Sequence, residues 1–219
     1  MSFEGPETRD YENVVSLNLA WLECLKDDRA AAAGLHACPA TVSQRLTALE
    51  PPEAARLAES PFLLFSFRER DDCYWDQVLA RRPGQDLFGL PGPGGLATLS
   101  HAALGFIWQL SNRNPYALRL FCGASLYWCE RIGELTFFRL LEAVSAAGGV
   151  PVLRLADNSS MWQKLLQEGL SRDAGTRHAA QYAAMQTVLT DSGRGGERES
   201  RARAARKVQA PGYRVAEDR

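Results

Sequence analysis

Apolar residues return every three or four positions at Val14, Leu17, Trp21 and Leu25, the spacing of one face of an α-helix, so a helix is expected from Tyr11 to about Ala33. The stretch "CPATVSQRLTAL" (38–49) repeats the rhythm at Val42, Leu46 and Leu49, with Pro39 suited to a first helical turn. Pro51 and Pro52 end that helix and open the next, since proline in a first turn loses no hydrogen bond. The periodicity then stops. Phe62 to Phe67 is an almost unbroken apolar run, consistent with a strand or a buried helix segment. As a strand it would be apolar on both sides, with Phe62 and Leu64 on one and Leu63, Phe65 and Phe67 on the other. Two-sided apolarity needs cover on both sides, and a second subunit is the simplest cover. Leu57, Phe62, Leu63, Leu64, Phe65 and Phe67 are therefore the candidate oligomer interface.

Further along, "DDCYWDQVLARR" (71–82) has an acidic start and a basic end, the charge order that suits a helix dipole. Residues 83–95, with three prolines and five glycines, read as a loop. "LSHAALGFIWQL" is too continuously apolar for a surface helix, and residues 112–115 break it. "YALRLFCGASLYWCERI" (116–132) reads as one long helix. "LTFFRLLEAVSAAGG" offers Thr136 as N-cap and Gly148–Gly149 as a stop. "DNSSMWQKLLQEGL" and "AGTRHAAQYAAMQTVL" supply two more helices. From residue 192 the chain is poor in apolar residues and is expected to be disordered when free. The class is mainly α.

Composition sharpens this picture. With 46% hydrophobic and 23% charged residues over 219 positions, the chain can build a sizeable core. Its net charge of −1 hides an asymmetry. The segment 192–219 holds eight Lys+Arg against four Asp+Glu, which leaves 17 against 22 in residues 1–191. Six of these cations, Arg194, Arg198, Arg201, Arg203, Arg206 and Lys207, fall within fourteen residues and could follow a phosphate backbone, giving salt-dependent, sequence-blind affinity. A solvated tail is the alternative reading of the same composition. No stretch has the roughly 18 apolar residues of a membrane span. The acidic N-terminus lacks the order of a secretory signal, and five scattered cysteines show no zinc-ligand spacing. A reduced, cytoplasmic protein without metal or other cofactor is expected.

The segment "LTALEPPEAARLAESPFLLFSFR" resembles the FlhD family of bacterial flagellar master regulators. It matches without a gap at Leu46, Ala48, Leu49, Pro52, Leu57, Ala58, Glu59, Leu63, Phe67 and Arg68. The register carries back through Tyr11, Ser16, Leu19, Asp28, Ala30 and Ala32, and "HAALGFIWQLSNRNPYALR" extends it more weakly, to about residue 120. "GASLYWCERIGELTFFRLL" is similar to an N-terminal segment of FlhC, the partner subunit, at Gly123, Ala124, Leu126, Glu130, Leu135, Arg139 and Leu140. With the extended segment and helix of "VPVLRLADNSSMWQKLL", that weaker similarity covers about residues 122–166. The resemblance implies an all-α protein that assembles with further copies or with an FlhC-like subunit, binds promoter DNA and helps recruit RNA polymerase. It also implies differences. The family's cross-linking cysteine falls at Phe65, the promoter-contacting part of FlhD falls at the Pro/Gly loop, and the FlhC four-cysteine zinc site has no counterpart. The expected organisation is an FlhD-like helical dimerisation module (1–82), a loop (83–95), a second helical region (96–191) and a basic disordered tail (192–219).

Within the second region, 123–147 can be read as a helix-turn-helix with Thr136 capping the second helix. There, the Thr136 hydroxyl would face a phosphate, and Arg139 a guanine or a phosphate. Phe137 and Phe138 beside one arginine make a poor DNA face, so two core helices around a tight turn is the competing reading. Enzyme chemistry is not expected. His36, His101 and His178 lie far apart, "PGPGGLATLS" lacks the lysine of a phosphate-binding loop, and no glycine stands two residues after Ser125 to make a nucleophile elbow. The function expected is an oligomeric, FlhD-like transcriptional regulator that binds promoter DNA, a partner subunit, or both. The alternative is an interaction adaptor that keeps the fold without binding DNA.

Overall fold

A computed structural model describes residues 5–27, 34–35, 37–80, 95–149 and 151–191. Within these residues the chain forms ten helices and one two-stranded ladder, so the protein is mainly α. The first helix, α1 (Thr8–Asp27), buries Val14, Leu17, Trp21 and Leu25, the stripe read from its spacing. α2 (Ala40–Thr47) buries Val42 and Leu46. α3 (Pro51–Ala58) begins with a reciprocal capping box, in which Glu50 and Glu53 each accept from the other's backbone N–H. α4 (Asp72–Ala80) follows an extended segment and has its first turn capped by Asp71, whose carboxylate accepts from Tyr74 N at 3.0 Å.

The second region contains α5 (Gly95–Arg113), α6 (Pro115–Cys122), α7 (Leu126–Gly133), α8 (Phe137–Ala146), α9 (Ser159–Gln167) and α10 (Ala174–Thr190). Asn114, Ser125, Thr136, Asn158 and Asp173 each cap the helix that follows through a side-chain oxygen, which satisfies one orphan N–H per helix. α1 packs on α2, α3 and α5; α5 packs on α6, α7 and α8; α9 bridges α2 and α10. Tryptophans 21, 75, 108, 128 and 162 stand one to a helix. Trp75, Trp108 and Trp162 donate their indole N–H to the carbonyls of Arg68, Leu135 and Arg154. Trp21 and Trp128 find no acceptor among the described residues.

Several expectations change. Residues 116–132 are not one helix: the chain breaks at Gly123, which adopts φ +62°. A Cβ there would stand 2.5 Å from the Val188 carbonyl, so glycine permits both the left-handed turn and the close approach of α10. Cys122 and Cys129 consequently lie on two helices, both buried. α5 runs on through Asn112 and Arg113, so the break falls at Asn114, and Gly95 belongs to the helix rather than to the loop before it. His101 lies inside α5. The remainder of the 83–95 loop and all of 192–219 lie outside the described residues.

The largest change concerns Phe62–Phe67. The segment is extended and contains β1 (Phe65–Ser66), which pairs antiparallel with β2 (Val152–Leu153) in the register Phe65↔Leu153 and Ser66↔Val152. Leu57, Phe62, Leu63, Leu64, Phe65 and Phe67 are all buried within one chain. The cover comes from the same chain: the Phe65 ring lies 5.8 Å from that of Trp21 on α1, and Leu63 N donates to the Phe121 carbonyl of α6 at 3.0 Å. These residues therefore give no reason to invoke a partner, and the two sequence regions share one core.

Candidate functional site

Among the described residues, those singled out by the sequence fall into two places with opposite character, the buried segment 62–67, held in a polar clasp, and an outward helix face. The clasp forms because an extended segment passing through a helical core leaves backbone groups that need partners. Asn18, fully buried on α1, donates to the carbonyls of Ala58 (3.2 Å) and Phe62 (2.9 Å) and accepts from Leu64 N at 2.9 Å. Arg154, at the end of β2 and 3% exposed, donates to the carbonyls of Leu63, Phe65 and Cys122 and to the Glu69 carboxylate at 3.2 Å. Glu69 is itself buried and accepts from the Ser66 hydroxyl. Two side chains, Asn18 and Arg154, thus hold the backbone of the segment.

Both ends of the ladder carry backbone strain. Arg68 (φ +60°) and Leu155 (φ +48°) occupy the left-handed region, which costs a non-glycine residue on the order of 1–2 kcal/mol. Leu155 turns the chain directly after Arg154, whose carbonyl accepts from the Trp162 indole at 2.8 Å. Arg68 turns the chain so that Glu69 points inward, while its own side chain stays exposed. The Arg68 guanidinium lies 5.2 Å from the centre of the Tyr74 ring, a cation–π contact worth roughly 0.5–1 kcal/mol at an exposed site. Next along, Arg70 donates to the carbonyls of Gly123 (3.0 Å) and Asp191, anchoring the end of α10. Burial first, and then the charge of Arg154, pushes the Arg70 guanidinium below the ordinary arginine value. Burial, with Glu69 behind it, raises the Cys122 thiol, and burial pushes Cys129 up to about 12, so neither is a ready nucleophile.

The second place is α8. Leu140, Ala143 and Val144 point into the core and half-buried Leu141 packs against it, while Phe138 faces outward. Phe138 is 61% exposed. Phe137 instead lies against Trp108, ring centres 5.7 Å apart, and over Gly105, where a Cβ would meet its ring at 3.5 Å. The two candidate DNA-reading side chains here are engaged locally. Thr136 Oγ1 accepts from Arg139 N at 3.2 Å, and Arg139 pairs with Glu142 on the same helix at 2.9 Å. The remaining candidates, Arg194, Arg198, Arg201, Arg203, Arg206 and Lys207, lie outside the described residues.

Sequence reasoning missed Asn18, Glu69 and Arg154, because a polar residue inside a helix or beside a strand usually faces solvent. It noted Phe138 only as a poor DNA contact and did not find the Arg68–Tyr74 pair. Among the described residues no cluster of three or more His, Cys, Asp or Glu side chains is placed to hold a metal ion, and no helix is long and apolar enough to cross a membrane. Compared with protein-family models, with curated proteins and with solved structures, the chain has no match in any of the three.

Proposed function

We propose that the chain is an oligomeric transcriptional regulator of the FlhD-like kind, whose folded body docks protein and whose arginine-rich C-terminal sequence holds promoter DNA. The observation that carries the protein-docking half is Phe138, a phenylalanine 61% exposed on a helix whose other large apolar side chains are packed. Aromatic residues presented in this way are the usual anchors of protein interfaces. The partner is a further copy of the chain or an FlhC-like subunit. The DNA half is supported by the six cations between Arg194 and Lys207, set against a body with more acidic than basic residues.

Size-exclusion chromatography with light scattering, run with and without promoter-length duplex DNA, tests both halves. The expected result is a species larger than one chain that co-elutes with DNA at low salt and separates from it as salt rises. Deleting residues 192–219 should abolish co-elution and leave the protein's own mass per assembly unchanged.

The adaptor reading is favoured by one observation, the occupation of Thr136 and Arg139 within their own helix. An oligomer that ignores DNA at low salt decides for it. A single chain that ignores DNA contradicts both readings.

A further inference from the structure

α10 ends in negative charge. Its last turn holds no basic side chain, so the partial negative charge of a helix C-terminus is not balanced from within the helix. The capping residue, Asp191, adds a carboxylate. Arg194, the first of the six C-terminal cations, follows three residues later. If those cations hold DNA, phosphates must come close to a helix end and a carboxylate that both repel them. The balance is supplied from outside the helix by Arg70, in the turn before α4. Its Nε donates to the Gly123 carbonyl at 3.0 Å, its Nη1 donates to the Asp191 carbonyl, and Nη1 lies 3.8 Å from the Asp191 carboxylate. Gly123 leaves room for this reach, since a Cβ there would stand 2.8 Å from Arg70 Nη2. The charges acting on Arg70 are those of Arg154, Asp191, Glu69 and Asp157. Arg154 is bonded to buried Glu69, which leaves Asp191 and exposed Asp157 to Arg70.

We propose that Arg70 is a positioning residue for DNA. By neutralising Asp191 and the C-terminal end of α10, it lets phosphates approach the root of the basic segment without touching them itself. The partly buried setting suits that task, because a charge held there is screened by salt less than one on a free side chain. Arg70 also has a mechanical use, since its bonds to Gly123 and Asp191 dock the end of α10 beside α6. The two uses make different demands on the side chain. Docking needs the fork of donors that spans both carbonyls, a geometry that lysine does not reproduce. Neutralisation needs only a positive charge in the same place, and it is needed only while Asp191 is negative.

This inference rests on the DNA half of the proposed function, and a set of charge variants separates the two. Fluorescence anisotropy of a labelled promoter-length duplex is read against full-length wild type, Arg70→Gln, Arg70→Lys, Asp191→Asn and the double variant Arg70→Gln/Asp191→Asn. Arg45→Gln is the control, because it removes the same charge from the Arg45–Glu53 pair of α2 and α3. At low ionic strength Arg70→Gln should raise the dissociation constant about fivefold, the size of one charge interaction at a helix end, and the difference should shrink as salt is added. Arg70→Lys and Arg45→Gln should bind as wild type does, and Asp191→Asn more tightly. The double variant should return to wild-type affinity although it lacks the same guanidinium, which guards against misfolding as the cause. A lysine variant as weak as Arg70→Gln, or a double variant no stronger, would reduce Arg70 to a docking residue and overturn the inference. Equal weakening by Arg45→Gln would overturn it as well, by tracing the effect to overall charge. Wild type and Arg70→Gln binding equally well would overturn this inference alone, whereas a wild type that ignores DNA at low salt would overturn it together with the DNA half of the proposed function.

Discussion

The clasp around residues 62–69 and the outer face of α8 are both rich in aromatic and aliphatic side chains, yet they stand in opposite relation to solvent. In the clasp every large apolar residue from Phe62 to Phe65 is fully buried, and the backbone it brings inside is matched by Asn18 and Arg154. On α8, Phe138 is 61% exposed, and the Thr136 and Arg139 side chains beside it bond within their own helix. An apolar run in a sequence therefore does not by itself mark an interface. What distinguishes the two is whether the same chain supplies buried polar partners for the backbone beside it. The clasp is where the molecule holds itself together; α8 is where it has surface left over for another molecule.

Breaking the clasp should have the largest effect. Arg154→Met leaves Glu69 as a buried, uncompensated charge and three carbonyls without a donor, and is expected to destabilise the fold by about 3–5 kcal/mol in denaturant unfolding. Adding Glu69→Gln should recover part of that loss, because the stranded charge is then gone. Asn18→Ala removes three buried hydrogen bonds and should cost about 3 kcal/mol by the same measurement. Gly123→Ala, which forces a side chain into the left-handed region and against Val188, should cost roughly 1–3 kcal/mol. Thr136→Ala removes a helix cap and should cost about 1 kcal/mol, the scale of a cap rather than of a buried network. Phe138→Ser sharpens the comparison from the other side. It should leave the unfolding free energy of a single chain nearly unchanged and lower the mass of the assembly.

A smaller effect appears with pH. The Thr176 backbone N–H bonded to Asp173 holds that carboxyl below the ordinary aspartate range. Its contribution to α10 is therefore present above that range and lost as the pH falls through the lowered value, because the proton binds the unfolded chain first. Thermal melts of Asp173→Asn should accordingly differ from wild type near neutral pH and converge with it in strong acid.

Much of the helical framework was legible because its signals are local. The stripe on α1, the prolines opening α3, and Thr136 as a cap each act within a few residues of where they are read. The break at Gly123 was also locally encoded, by a glycine followed by the cap-type Ser125, but the apolar rhythm ran across it and masked it. The clasp was not legible. Arg154 lies 91 positions from Leu63 and 85 from Glu69, and nothing near any of them announces the others. The two-sided apolarity of Phe62–Phe67 correctly implied cover on both sides; the assumption that failed was that the cover came from another chain. Phe138 was visible as an odd residue for a DNA-reading helix, but its exposure depends on which side of α8 meets α4 and α5, and only the packed fold decides that.

The most direct test of this division is sedimentation equilibrium of wild type beside Phe138→Ser, with circular dichroism confirming that both are equally helical. The account predicts a wild-type mass above that of one chain and a single-chain mass for the variant, at concentrations where both are folded. Equal masses for the two proteins, whether single or associated, would contradict it.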